Sequence, residues 1–255
     1  MHRGSMKKVI ALFFILLVLA GVVFYFGWTQ FKVGAGECGV LISKTSGVNR
    51  EPVMPGKFSW HWESLLPTNA VLRVFSLKPR STTKTVSGSL PSADVYSTAF
   101  QSAPDFSYRF DFICTARVTP ENIIALVRNG IVTDTESLDA YLDSSCTALA
   151  GKAASYILIK SSDNTDFQPE TVMSEELLEG VRASVDYPNI VFDNFAVISS
   201  KLPDRALYNS ARDAYIEAQH IQQVRTEARN RDVNELLKTY PELQGSFSGT
   251  GKSGR

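Results

Sequence analysis

From Val9 to Trp28 the chain reads VIALFFILLVLAGVVFYFGW, twenty residues without a charge or a proline. A helix of that length rises about 30 Å, the thickness of a bilayer's hydrocarbon core. It is apolar all round, so it has no polar face to turn to water in a small soluble domain. Tyr25 and Trp28 stand at its far end, where aromatic rings favour the lipid–water boundary. Arg3, Lys7 and Lys8 precede it, and Lys32 is the one basic residue in the fifteen positions that follow. The positive-inside bias therefore predicts that residues 1–8 are cytoplasmic, that 9–28 cross the membrane, and that the body lies on the other side.

A cleaved signal peptide is the rival reading. Val18-Leu19-Ala20 before Gly21 forms a small-residue cleavage site. Cutting there would leave a mature chain that begins GVVFYFGW, an apolar start with no evident partner, so the uncleaved anchor is preferred. No cysteine stands at the +1 position, which argues against a lipoprotein.

The chain of 255 residues is 44% hydrophobic and 20% charged, enough to bury a core. Lys+Arg and Asp+Glu balance at 26 each, without the basic excess of a nucleic-acid binder. Cys38, Cys114 and Cys146 are widely spaced, with no CxxC and no histidine cluster beside them. They read as buried small apolar residues rather than a disulfide framework or a zinc site, and their redox state stays open.

Val40–Ile42 reads as a short strand, 45–50 as a polar turn, and Ala70–Leu77 as a half-buried strand. Residues 79–105 are rich in Ser, Thr, Pro and Ala, with strand pieces only at Lys84–Val86 and Val95–Tyr96. Phe106–Val118 alternates most clearly, setting Phe106, Tyr108, Phe110, Phe112 and Cys114 on one side. Thr119-Pro120 starts a helix that runs to Arg128. Further helices are expected over Thr135–Ile159 and Pro169–Ala183, then a strand over Ile190–Ser199. Asp204 caps a long helix that ends near Tyr240, and 241–255 form a flexible tail. The fold class is α+β, with a mixed domain over 29–203 and an exit helix over 204–240.

Several passages resemble the stomatin/prohibitin/flotillin family, whose shared module is the SPFH or band-7 domain. Val33-Gly34-Ala35-Gly36-Glu37-Cys38-Gly39-Val40 is similar to the family's membrane-proximal strand. Met54-Pro55-Gly56-Lys57-Phe58 followed by Leu66-Pro67 is similar to its Pro-Gly turn. Phe110-Asp111-Phe112 with Val118-Thr119-Pro120 resembles its central strand before a proline-initiated helix. Phe192–Pro203 before an Ala-, Glu-, Gln- and Arg-rich helix resembles its strand leading into a coiled coil. The likeness covers about residues 33–235. It implies a non-enzymatic scaffold, an SPFH-like mixed domain that oligomerises laterally with itself or with related proteins. Such a scaffold organises membrane microdomains or modulates a membrane protease. It also implies a single-pass protein of a bacterial inner membrane with a periplasmic body, in the manner of the paired modulators of a membrane AAA protease. An extracytoplasmic hydrolase, or a secreted binding module released by cleavage after Ala20, are the alternatives.

No residue set calls for a cofactor or metal, and none marks a catalytic centre. His2, His61 and His220 are too far apart in sequence for a metal site, and His61 reads as a satisfied histidine on an alternating strand between Trp60 and Trp62. The Gly-Thr-Gly-Lys-Ser run at 249–253 has Ser246 where a P-loop needs glycine. Glu175-Glu176 falls at a helix start, where the dipole favours negative charge. Two surfaces remain as candidates. Leu207, Ala211, Ala214, Ala218 and Ile221 follow the 4-3-4-3 spacing of an oligomer seam. Phe58, Trp60 and Trp62 are placed to touch membrane lipid beside the anchor.

Overall fold

The computed structural model describes residues 3–28, 32–66, 68–98, 100, 103–164 and 167–239. Pro67, Tyr240, the tail and its Gly-Thr-Gly-Lys-Ser run lie outside them. In chain order the elements are α1 (Arg3–Gly27), β1 (Glu37–Ser43), β2 (Gly47–Val48), a 3-10 turn (Trp62–Leu65), β3 (Ala70–Ser76), β4 (Arg80–Ser89), α2 (Ala93–Ser97) and β5 (Ser107–Arg117). They continue with α3 (Pro120–Arg128), α4 (Thr135–Asp163), a 3-10 turn (Pro169–Thr171), α5 (Ser174–Gly180), α6 (Ala183–Asp186), β6 (Val191–Lys201) and α7 (Arg205–Thr239). The chain is mixed α+β. Its contacts divide into one unit of residues 1–86 and 109–200 and another of 87–108 and 201–255.

In the first unit β1 lies at the centre of a three-stranded sheet in the order β2-β1-β3. It pairs antiparallel with both neighbours, with Cys38 opposite Phe75 and Leu41 opposite Leu72. Gly39 exchanges two 2.8 Å backbone hydrogen bonds with Val53. A Cβ there would sit 2.8 Å from Leu72 and 2.9 Å from Val33, so the crossing admits only glycine.

A second three-stranded sheet has the order β4-β5-β6. Ser81 meets Thr115 and Thr85 meets Asp111, so β4 and β5 run in opposite senses. One face of β5 supplies Phe110, Phe112, Cys114 and Ala116 to the core, and Phe112 stacks on Phe195 with rings 5.4 Å apart. Leu138, Leu142, Leu149 and Ile157 of α4 are buried at helical spacing. Asp134 starts α4 with a capping box, its Oδ1 accepting from the Ser137 N–H at 2.8 Å.

Three expectations are corrected here. Residues 80–89 form one ten-residue strand, and 93–97 a short helix, where only fragments were expected. The half-buried side of β4 carries Thr82, Lys84, Val86 and Gly88, with Val86 its one large apolar side chain. Lys84 pairs with Asp143 of α4 at 2.7 Å and Arg80 with Asp139, so hydropathy alternation is absent where ion pairs make the contact. The helix expected over 169–183 is three pieces, because Val172 and Met173 take extended backbone between the 3-10 turn and α5, and Arg182 takes a left-handed φ of 55° before α6. Finally, Cys114 and Cys146 are joined by a disulfide between β5 and α4, with Cα atoms 6.1 Å apart. Burial was read correctly for both, but their partnership was not, because it depends on a contact across 32 residues.

The second unit is a small aromatic cluster. Tyr208 of α7 meets Tyr96 at 5.7 Å and Phe106 at 5.3 Å, and its hydroxyl donates to the Pro91 carbonyl at 2.6 Å. Asp204 caps α7 through the Leu207 N–H at 2.9 Å.

Closing a loop of that sequence separation restricts the unfolded chain by about 3.7 kcal/mol. Denaturant unfolding of the Cys114→Ala/Cys146→Ala variant should therefore show a loss of about 3 to 4 kcal/mol; an unchanged midpoint would deny the bond. A second measurement concerns acid. The Asp111 carboxylate accepts from Thr85 at 2.6 Å and Ser199 at 2.8 Å, which holds its pKa below the ordinary 3.8. Its contribution to stability is complete above that value and is lost as pH falls through the lower folded value. Thermal midpoints taken from pH 5 down to pH 2 should drop more steeply for the wild type than for Asp111→Asn.

Candidate membrane-interface site

The far end of α1 packs on the body's loop at 58–65. The Phe24 and Phe58 rings stack at 5.9 Å, and Trp28 lies 5.6 Å from Phe24 and 6.2 Å from Phe58. Trp28 and Trp60 form an isolated antiparallel bridge, and the His61 N–H donates to the Gly27 carbonyl at 2.8 Å. That carbonyl would otherwise be one of the unpaired groups at a helix end. A Cβ on residue 27 would fall 2.2 Å from the Trp60 indole nitrogen, so the approach of Trp60 depends on glycine.

Within Lys7–Gly27 an 18-residue stretch has a mean hydropathy of 3.0, and none of that stretch is buried. This helix is long and apolar enough to cross a membrane. Phe58 and Trp62 continue the exposed apolar surface past its end, at 60% and 50% exposure, while Trp60 turns partly inward at 37%. All three tryptophans of the chain, Trp28, Trp60 and Trp62, thus belong to one collar. His61 lies between the Trp60 bridge and the 3-10 turn rather than on an alternating strand. Its Nε2 is 2.8 Å from Ser59 Oγ and its Nδ1 3.4 Å from Asn49 Nδ2, so both ring nitrogens have partners. The aromatic spacing of 58, 60 and 62 pointed to this loop. Gly27 and Asn49 gave no comparable signal, because their roles appear only once distant segments meet.

Of the proposed seam on α7, Leu207, Ala214, Ala218 and Ile221 are exposed. Ala211 is a correction. It is fully buried, on the side of α7 that carries Tyr208, and cannot meet a partner. Ile216, Val224 and Leu236 add exposed apolar side chains along the same helix.

Among the described residues no group of three His, Cys, Asp or Glu side chains is placed to hold a metal ion. Glu175 and Glu179 line a cavity of about 500 Å³ with Asp193, which accepts from the Arg117 side chain at 3.0 Å. Cys38 is a free, buried thiol, and burial with the nearby Glu121 charge pushes its pKa up to about 12. It is therefore a poor nucleophile at neutral pH.

No family model matches the chain. It is 25% identical over 194 residues to an uncharacterised protein of Treponema pallidum (strain Nichols), a match covering 74% of this chain. The chain spans 65% of that relative's length.

Because every tryptophan lies in the collar, intrinsic fluorescence reports on it alone. In bilayers, lipids brominated near the headgroup should quench the full chain more strongly than lipids brominated near the acyl terminus. Quenching by aqueous acrylamide with no lipid effect would place the collar away from the membrane.

Proposed function

We propose that the chain is a membrane-anchored scaffold of the SPFH type, whose lateral oligomers organise the surrounding membrane or modulate a membrane protease. The observation that carries this reading is the docking of α1 onto the body through Gly27, Trp28, Trp60 and His61. A domain joined so closely to its anchor stays against the bilayer surface, where neighbours meet in two dimensions. The order of anchor, strand, proline-started helix, late strand and long exit helix adds to the family resemblance.

Retention of the anchor is favoured by its exposed far end. Cleavage after Ala20 would leave Val22, Val23, Phe24, Tyr25 and Phe26 facing water, all at least 37% exposed. A body outside the cytoplasm suits both the charge flanks of α1 and the Cys114–Cys146 disulfide, since such bonds persist in oxidising compartments. The exposed stripe Leu207, Ala214, Ala218 and Ile221 offers a contact for a second chain, narrow and flanked by charge.

Extraction of native membranes in mild detergent, followed by light scattering, tests the assembly. The expected particle is a large oligomer, and Ala214→Glu/Ala218→Glu should reduce its size while leaving the circular dichroism spectrum unchanged. A monomeric wild-type particle overturns the scaffold reading.

A further inference from the structure

Beside the collar lies a half-open polar cavity of about 330 Å³, lined among others by Ser46, Asn49, Arg50, Trp60, His61 and Glu63. That is the lower end of small-ligand sites, about 300 to 1,000 Å³, and suits a headgroup better than an acyl chain. Its depth follows from one hydrogen bond. His61, in the cavity wall, donates its N–H to Gly27, the last residue of α1. If Gly27 ends the hydrocarbon span, the next 5 to 7 Å or about that is headgroup layer, and the Trp60–His61 wall lies within it.

The lining carries one charge of each sign, and neither has an ion-pair partner among the described residues. Arg50 is exposed and forms no ion pair among the described residues. Its guanidinium fork matches two oxygens of a phosphate. Glu63 accepts from Ser46 Oγ at 3.3 Å and likewise has no cationic partner among those residues. The indole faces of Trp60 and Trp62 add an environment suited to an ammonium group. A purely anionic ligand would gain from Arg50 and be opposed by Glu63, whereas a zwitterion satisfies both.

We propose that this cavity is a subsite for the headgroup of a zwitterionic phospholipid, its phosphate toward Arg50 and its ammonium toward Glu63. The assignment rests on the anchored reading, which sets the cavity at headgroup depth. The tryptophan loop and the cavity then act together, the first setting the depth of the body and the second selecting which lipid stands beside it.

Native mass spectrometry of the full chain in non-ionic detergent tests this, with dioleoyl phosphatidylethanolamine, phosphatidylcholine and phosphatidylglycerol at equal concentration. One zwitterionic lipid per chain should be retained about tenfold better than phosphatidylglycerol. Arg50→Ala and Glu63→Gln should each lower that retention about tenfold, with Arg109→Ala on the other sheet as the unchanged control. Equal retention of all three lipids, a preference for phosphatidylglycerol, or insensitivity to both substitutions overturns the assignment. Glycerophosphoethanolamine at the lipid's concentration should fail to compete; full competition would make this a site for free phosphate esters and overturn the lipid. Alkaline carbonate washing of the source membranes separates the two levels. A chain that washes off overturns the anchored reading itself, whereas one that stays but shows no selectivity overturns only the cavity's role.

Discussion

The approach of Trp60 to Gly27 is the contact on which the junction of α1 with the body depends. Without it α1 would be a tether and the body would be free to tumble beneath it. A single backbone hydrogen bond contributes only about 1 kcal/mol in water, and an aromatic pair about the same. Here the two act on the same few residues, with the His61–Gly27 bond at the helix end and Phe58 stacked on Phe24 one turn back. Near a bilayer surface fewer waters compete for the Gly27 carbonyl, so the bond is worth more there than in bulk solvent. Any side chain at residue 27 would remove the space that Trp60 occupies.

That junction also explains why β1 is so closely packed. Val33, Cys38, Val40 and Leu41 are buried within fourteen residues of the helix end, and Gly39 lets Val53 approach backbone to backbone. Nine residues from Trp28 to Glu37 extend at most about 32 Å, a bound that leaves many placements of the first sheet open. The aromatic loop, through Phe58, Trp60 and His61, selects among them.

The sequence discloses these features unevenly, for physical reasons. α1 was legible by its unbroken apolar run, and elements with a regular pattern were legible too: β5 by alternation, α4 by helical spacing, and α7 by its spacing and its Asp204 cap. Elements stabilised by long-range polar contacts were not. β4 is a full strand whose inward side chains meet α4 through Lys84–Asp143 and Arg80–Asp139, and such pairs leave no hydrophobic signature. The candidate site divides in the same way. Phe58, Trp60 and Trp62 announced themselves by their spacing, whereas Gly27, Asn49, Arg50 and Glu63 acquire meaning only when segments distant in sequence come together, 12 positions apart for Asn49 and His61 and 17 for Ser46 and Glu63, which periodicity cannot read. The α7 seam shows the opposite failure. Its spacing was real, but spacing alone could not tell that Ala211 faces its own unit while Ala214 and Ala218 face out.

The three cysteines divide into one disulfide, Cys114–Cys146, and one buried thiol, Cys38. A disulfide and a free thiol in one small domain invite exchange, because a thiolate can attack either sulfur of the bond. Cys38 is prevented from doing so in two ways. It is buried in β1, and that burial pushes its pKa up to about 12, so it stays a thiol at pH 7. Burial thus does for Cys38 what pairing does for Cys114 and Cys146: it keeps the sulfur chemically silent.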